Sequence, residues 1–133
     1  ADIALPCATL NEIVSAAAKT ITDCGVRLLA EGANMPLTAD ATDHIADKGL
    51  LYAPGKAANA GGVAISGLEM SQNAHGRFDS AEEVDRSLKA IMSDIHDRIA
   101  AEGREGNRIN YRRGANIAGY RKVATAISAY GVV

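Results

Sequence analysis

Three short apolar segments alternate with two helical patterns in the first 54 residues, and this alternation limits the fold more than any other feature. The apolar segments occupy residues 2–6, 26–33 and 50–54. Strand, helix, strand, helix, strand at this spacing is typical of parallel strands joined by right-handed crossovers. Because the segments carry few polar residues, we expect strands that are buried on both faces. The pattern predicts an α/β protein with half of a doubly wound, Rossmann-like parallel sheet.

Residues that start and stop helices frame the two helical patterns. Thr9 and Glu12 have the spacing of a capping box, so the first helix is predicted to start there. Gly25 then suits the position just after the last turn, where a left-handed backbone is common. The second helix is predicted over residues 41–48.

The pattern changes near residue 56, after which we expect three helices and no strand. The segment 63–74 combines small and apolar residues, so it is predicted to be a buried helix. Ser80 and Glu83 form a second capping box and start an amphipathic helix, and a last helix should run to about Tyr130. The predicted apolar stripe of the amphipathic helix comprises Val84, Leu88, Ile91, Met92, Ile95 and Ile99. Half a sheet, with C-terminal helices after it, is therefore the expected architecture.

Composition excludes several kinds of partner. The net charge of the 133 residues is -2, which leaves no basic footprint for nucleic acid or for an anionic membrane. No run of about 18 apolar residues is present, so we expect no membrane span. The chain begins with Ala1 rather than Met and opens directly in an apolar segment, which predicts a piece of a longer cytoplasmic protein.

The cysteines and histidines do not form a metal-binding pattern. Cys7 and Cys24 are far apart in apolar surroundings, which predicts small buried thiols in a reducing compartment. A reactive or metal-bound thiol is the alternative. The histidines at positions 44, 75 and 96 lack ligand spacing, so structural or solvated histidines are expected rather than a metal site.

Three loops are predicted to form a ligand site, because open α/β sheets bind ligands beyond the carboxyl ends of their strands. The loops are Cys7-Ala8-Thr9, Gly32-Ala33-Asn34 and residues 54–62. Small residues let the backbone approach a flat ligand closely. Asn34 and Asn59 offer donor and acceptor pairs for an amide or a ribose hydroxyl, while turn formation is their alternative role.

The remaining candidate residues follow these loops on the third predicted helix. Gly61 and Gly62 precede it without the spacing of a dinucleotide fingerprint, although free N–H groups there could receive an anion. Ser66, one turn into the helix, is either a small packing residue or a ligand contact. No catalytic set of residues is recognisable.

Four sequence blocks, in this order, closely resemble the C-terminal part of the glutamate dehydrogenases. They read IALPCATLNE, AEGANMP, YAPGKAANAGGVAISGLEMSQN and YRRGANIAGYRKVA. The resemblance covers essentially the whole chain and is strongest to the small hexameric bacterial and fungal enzymes that usually use NADP. It implies that residues 1–56 are the end of a dinucleotide-binding domain. Residues 57–133 would form a helical C-terminal part with a cleft-floor helix and helices that return toward the substrate domain.

The resemblance also implies roles for individual residues. Asn34 would lie near the nicotinamide ribose, Asn59 near the carboxamide, and Ala8 would approach the cofactor through its backbone. Ser66 would hydrogen-bond the side-chain carboxylate of glutamate, with Val63 packed beside it. No catalytic residue is assigned to this chain, because the catalytic lysine and aspartate of the family belong to its N-terminal substrate domain.

The implied reaction is the reversible oxidative deamination of glutamate to 2-oxoglutarate and ammonia, with NADP, or alternatively NAD, as the hydride carrier. The implied partners are the N-terminal remainder of the same chain and further copies in a homohexamer. Leu10 stands where the family usually has glutamine, which weakens any polar cofactor contact there. Two alternatives stay open: a related branched-chain or aromatic amino-acid dehydrogenase, and a non-catalytic structural fragment.

Overall fold

A three-stranded parallel sheet organises the first part of the structure, a computed structural model that describes residues 1–131. The last two residues of the predicted helical part, 132 and 133, lie outside the described residues. The sheet contains β1 (Ile3–Ala4), β2 (Leu28–Ala30) and β3 (Leu51–Ala53) in spatial order β1-β2-β3. Helix α1 (Ser15–Asp23) connects the first two strands and α2 (Ala39–Asp47) the next two. The predicted α/β alternation is therefore confirmed.

The strand register separates a covered sheet face from an open one. Ala4, Leu29 and Tyr52 are aligned across the strands, and all three pack into the core that the two helices complete. The buried members of this core are Ala18, Leu29, Leu37, Ala41 and Ile45.

The opposite face is less covered, and the prediction of strands buried on both faces was wrong for the chain described. Ile3, Leu28 and Leu51 are aligned on this face, and Ile3 and Leu51 are each 54% exposed. The physical reason is that successive side chains along a strand point to opposite faces of the sheet. Helices α1 and α2 cover one face, and Ile3 and Leu51 on the other face stay exposed.

The second part contains four helices and a short hairpin. The elements are α3 (Gly55–Ala58), α4 (Ala60–His75), α5 (Ala81–Glu102), β4 (Arg104–Glu105), β5 (Arg108–Ile109) and α6 (Tyr111–Tyr130). The expectation of three helices and no strand missed α3 and the antiparallel β4–β5 pair. Gly106 allows the hairpin turn, since its φ of 59° lies in the left-handed region that glycine adopts readily.

One of the two predicted capping boxes exists. The Ser80 side chain accepts a hydrogen bond from the Glu83 N–H, and Glu83 in turn accepts one from the Ser80 N–H. The other prediction was wrong, because α1 begins six residues after Thr9, at Ser15. The Glu12 carboxylate instead accepts a hydrogen bond from the Ala8 N–H at 3.0 Å, which stabilises a loop.

The sequence predicted that helix α4 is buried, but it packs on α5 along only one narrow line. Gly61 is the one described residue of α4 that is fully buried. A Cβ atom at Gly61 would lie 2.7 Å from Leu88 Cδ1, so glycine permits the close approach of the two helices. Val63 and Met70, on the same helix, are 75% and 72% exposed.

Both cysteine thiols are exposed, which corrects the prediction of buried thiols. Cys7 follows β1 and Cys24 follows α1, so each lies where the chain has left the core. The three histidines bond within the protein: for example, His44 Nε2 lies 3.1 Å from Thr22 Oγ1. Among residues 1–131 there is no cluster of three or more candidate metal ligands. No helix in the same range combines the length and hydropathy that a bilayer crossing requires.

Candidate functional site

An open cleft of about 580 Å³ lies beyond the carboxyl ends of the three parallel strands. The loops after β1 and β2 and the start of the α3–α4 segment meet there, as the sequence predicted. Its lining residues are Cys7, Ala8, Thr9, Leu10, Gly32, Ala33, Asn34, Asn59 and Val63. No lysine, aspartate, glutamate or histidine is among these described lining residues, so the cleft offers amides, hydroxyls and backbone groups to a ligand.

Backbone hydrogen bonds join the first two loops at the base of the cleft. The Gly32 and Ala33 N–H groups both donate to the Pro6 carbonyl oxygen, at 2.9 and 3.1 Å. A Cβ atom at Gly32 would lie only 2.5 Å from Cys7 Sγ, closer than real Cβ atoms approach. Glycine therefore lets the two loops approach without displacing the Cys7 thiol, and it leaves backbone accessible where a flat ligand would lie.

The same two loops contain the two described non-glycine residues with positive φ. Asn11 has φ 55° and Met35 has φ 48°. The Asn11 N–H donates to the Met35 carbonyl oxygen at 3.0 Å, so the two left-handed residues are directly joined. Left-handed backbone is costly for a residue such as methionine and persists only where the surroundings enforce it. The rim of the cleft is therefore a constrained structure rather than a pair of free loops.

The two asparagines predicted at the site are hydrogen-bonded to each other. Asn59 Nδ2 donates to Asn34 Oδ1 at 2.7 Å, which links the loop after β2 to the start of α4. Each side chain keeps further capacity, because an amide carries two donors and an acceptor with two lone pairs. The pair therefore presents a free acceptor on Asn59 and a free donor on Asn34.

Ala8 and Val63 also line the cleft, on opposite sides of the asparagine pair in sequence. Ser66 does not line it. The Ser66 side chain is exposed on α4 one turn beyond Val63, and its hydroxyl donates to the Gly62 carbonyl oxygen at 3.1 Å. Such a bond to the preceding turn is weak, so the hydroxyl can be redirected to another acceptor.

Glu31 is a residue of this region that the sequence reasoning missed. It is only 4% exposed, and its Oε2 accepts a hydrogen bond of 2.6 Å from the Gly55 N–H. Burial, and then the neighbouring Glu31 carboxylate, raise the pKa of the Tyr52 phenol above its usual range. The signal available in the sequence was a carboxylate at the very end of an apolar strand, where burial without a partner would be costly.

The fold is that of the C-terminal half of a Rossmann-like α/β domain with helices after it, and its cleft lies where such sheets bind ligands. The family model that describes the glutamate/leucine/phenylalanine/valine dehydrogenases matches residues 1–131. The chain therefore belongs to this dehydrogenase family.

Individual relatives agree with the family match. The NADP-specific glutamate dehydrogenase of Escherichia coli is 56% identical over 132 residues, which are 99% of this chain and 30% of that protein. The NAD-specific glutamate dehydrogenase of Porphyromonas gingivalis is 52% identical over 98% of this chain and 29% of its own length. The crystal structure of Plasmodium falciparum glutamate dehydrogenase superimposes with a TM-score of 0.92 at 43% identity, covering 99% of this chain and 29% of the other. The chain thus spans about 30% of the length of these relatives.

Proposed function

We propose that the full-length protein carrying this sequence is a glutamate dehydrogenase that converts glutamate reversibly into 2-oxoglutarate and ammonia. NADP is the proposed cofactor and NAD the alternative, since relatives of both specificities are identical to this chain at more than half of the aligned positions. The observation that carries the proposal is the Asn34–Asn59 bond at the carboxyl ends of parallel strands. It creates a pair of amides in a cleft whose other lining residues are uncharged and mostly small.

The cleft residues fit a nicotinamide group. A primary carboxamide has one acceptor and one donor edge, and the asparagine pair offers a donor on Asn34 and an acceptor on Asn59. Bound there, the nicotinamide ring would supply the hydride acceptor and donor of the reaction. The role of the asparagines is to orient it, and Ala8 contributes backbone that a flat ring can approach closely.

We place the substrate side of the cleft on α4. Val63 would pack against the carbon chain of glutamate, and Ser66 would donate to its side-chain carboxylate after leaving the Gly62 carbonyl. In this proposal residues 1–56 end the dinucleotide-binding domain and residues 57–133 form the helical part that leads back to the substrate domain. The acid and base groups of the reaction would come from outside this chain.

Assembly and location are further parts of the proposal. The family resemblance supports a homohexamer, and a reducing cytoplasm suits two exposed free thiols. The mass of the native full-length protein in solution, compared with its subunit mass, tests the assembly directly.

The proposed activity predicts a substrate preference. Purified full-length protein should oxidise glutamate with NADP much faster than leucine, valine or phenylalanine, because apolar amino acids lack the carboxylate that Ser66 would bind. Initial rates with each amino acid and each dinucleotide measure this preference. A faster reaction with an apolar amino acid would favour the branched-chain or aromatic enzyme instead, and no oxidation of any of them would favour a structural role.

Asn59→Ala in the full-length enzyme should slow hydride transfer. The substitution removes the bond to Asn34 and the acceptor for the carboxamide, and one such hydrogen bond contributes about 0.5–1.5 kcal/mol. Because the bond fixes orientation, the loss should appear mainly in the single-turnover rate of hydride transfer. Asn73→Ala, an exposed asparagine on the same helix, is the matched control. If the Asn59 variant behaved like the Asn73 variant, the amide would have only a turn-forming role.

A further inference from the structure

Gly55 lies at the centre of the groups that position the asparagine pair. A Cβ atom built on it would lie 2.9 Å from the Ala33 carbonyl oxygen, 3.1 Å from Glu31 Oε2 and 3.4 Å from Asn59 Nδ2. The loop after β2, the buried carboxylate and the amide of Asn59 are therefore all in contact around one glycine. No larger residue fits there without moving at least one of them.

The Glu31 carboxylate is the group that holds this centre together. Its 2.6 Å bond to the Gly55 N–H fixes the first residue of α3, and Asn59 follows only four residues later. The Glu31 N–H itself donates to the Ala53 carbonyl oxygen at 3.1 Å, so the same residue also joins the ends of β2 and β3. Three residues after Glu31 comes Asn34, the partner of Asn59. One side chain thus connects both loops that carry the pair.

We propose that Glu31 is a positioning residue, which keeps Asn34 and Asn59 in hydrogen-bonding register for the nicotinamide carboxamide by holding the Gly55 N–H. The inference rests on the proposed function, since it names the residue that would pre-organise that cofactor site. Glu31 does not line the cleft and acts through Gly55 and Asn59. Burial of the carboxylate makes this support rigid, because a charge-assisted bond in a water-poor site is stronger than one in water.

Binding of two ligands distinguishes positioning from a general structural role. The probes are the oxidised dinucleotide and its analogue that lacks the nicotinamide ring, titrated by calorimetry into the full-length protein. Glu31→Ala should weaken binding of the complete dinucleotide about three- to tenfold and leave the ring-free analogue unchanged, since one hydrogen bond to the ring is misaligned. Hydride transfer should slow in parallel while the KM for glutamate stays the same.

Conservative variants protect the test against misfolding. Glu31→Gln retains an oxygen that can accept from Gly55, so it should restore most of the ring-specific binding. Glu31→Asp keeps the charge but moves the carboxylate away from Gly55 by one methylene group. It should therefore weaken binding of the complete dinucleotide without leaving a large cavity. Glu102→Gln is the matched control, because this carboxylate is partly buried, at 24% exposure, but pairs with Arg121, 3.2 Å away.

A double-mutant cycle with Asn59→Ala completes the experiment. If Glu31 acts through Asn59, the double variant should lose no more ring-specific binding than Asn59→Ala alone. Equal losses for both ligands in Glu31→Asp, additive effects in the cycle, or wild-type binding in Glu31→Ala would each overturn the inference. A loss in Asn59→Ala with none in the Glu31 variants would overturn it but leave the proposed function intact. If no variant discriminated between the ligands, the proposed cofactor site itself would be wrong.

Discussion

Ser66→Ala in the full-length enzyme is expected to reduce kcat/KM for glutamate by about ten- to a hundredfold, and to leave norvaline almost unaffected. The variant removes one hydrogen bond to a charged group, which contributes about 1.5–3 kcal/mol. Norvaline lacks the side-chain carboxylate, so it makes no hydrogen bond to Ser66 that the substitution could remove. Within residues 1–131 the Ser66 hydroxyl bonds to the Gly62 carbonyl alone, a contact whose removal costs little.

The test of this prediction is the difference between the effects on kcat/KM for glutamate and for norvaline. Ser71→Ala provides the control, since Ser71 is an exposed serine on the same helix. The affinity for the dinucleotide should be unchanged in both variants, because Ser66 does not line the cleft assigned to the cofactor. An equal change in kcat/KM for glutamate and norvaline would mean that Ser66 is a packing residue and not a carboxylate ligand.

Gly114→Ala is expected to lower the free energy of unfolding by about 2–4 kcal/mol, the cost of overpacking a close helix crossing. Gly114 is buried where α6 crosses α5, and a Cβ atom there would overlap the Ile99 carbonyl oxygen. The same atom would lie 3.0 Å from the Gly103 backbone nitrogen, so it meets backbone that has no rotamer to change. The two helices would have to separate.

Gly119→Ala on the same helix should instead raise the free energy of unfolding. No atom of the described residues lies within 4 Å of a Cβ atom built there, so the substitution adds only helix propensity, about 0.5–1 kcal/mol in favour of the fold. Thermal unfolding of the two variants beside the wild type measures the contrast. If Gly114→Ala melted at or above the wild-type temperature, the α5–α6 contact would be looser than this structure describes.

The site was predictable to the extent that it depends on where strands end. Parallel strands bring their carboxyl ends to one edge, so the loops carrying Ala8, Asn34 and Asn59 could be placed together from the alternation alone. Whether any of these residues binds a ligand stays a prediction. The bond between the two asparagines and the bond from the Gly55 N–H to Glu31 could not be predicted, because they join groups 25 and 24 residues apart in the sequence.

Two errors of the sequence reasoning depend on how distant segments meet. Thr9 and Glu12 have the spacing of a capping box, but the loop that contains them pairs with the loop around Met35, and this pairing delays α1. Likewise α4 is rich in small and apolar residues, yet only the line through Gly61 meets α5. In the first case a contact between distant segments overrode a local pattern, and in the second the extent of burial depended on how much of α4 a distant segment covers.

The sequence by itself determined the alternation of the first three strands with two helices, the capping box of α5 and the family to which the chain belongs. Those properties depend on neighbouring residues or on short blocks read in order. The tertiary structure alone decided which row of the sheet is covered, where the glycines allow backbones to touch, and how Glu31 reaches Gly55. Each of these is a contact between segments far apart in the chain, and its energy depends on packing geometry that residue spacing does not encode.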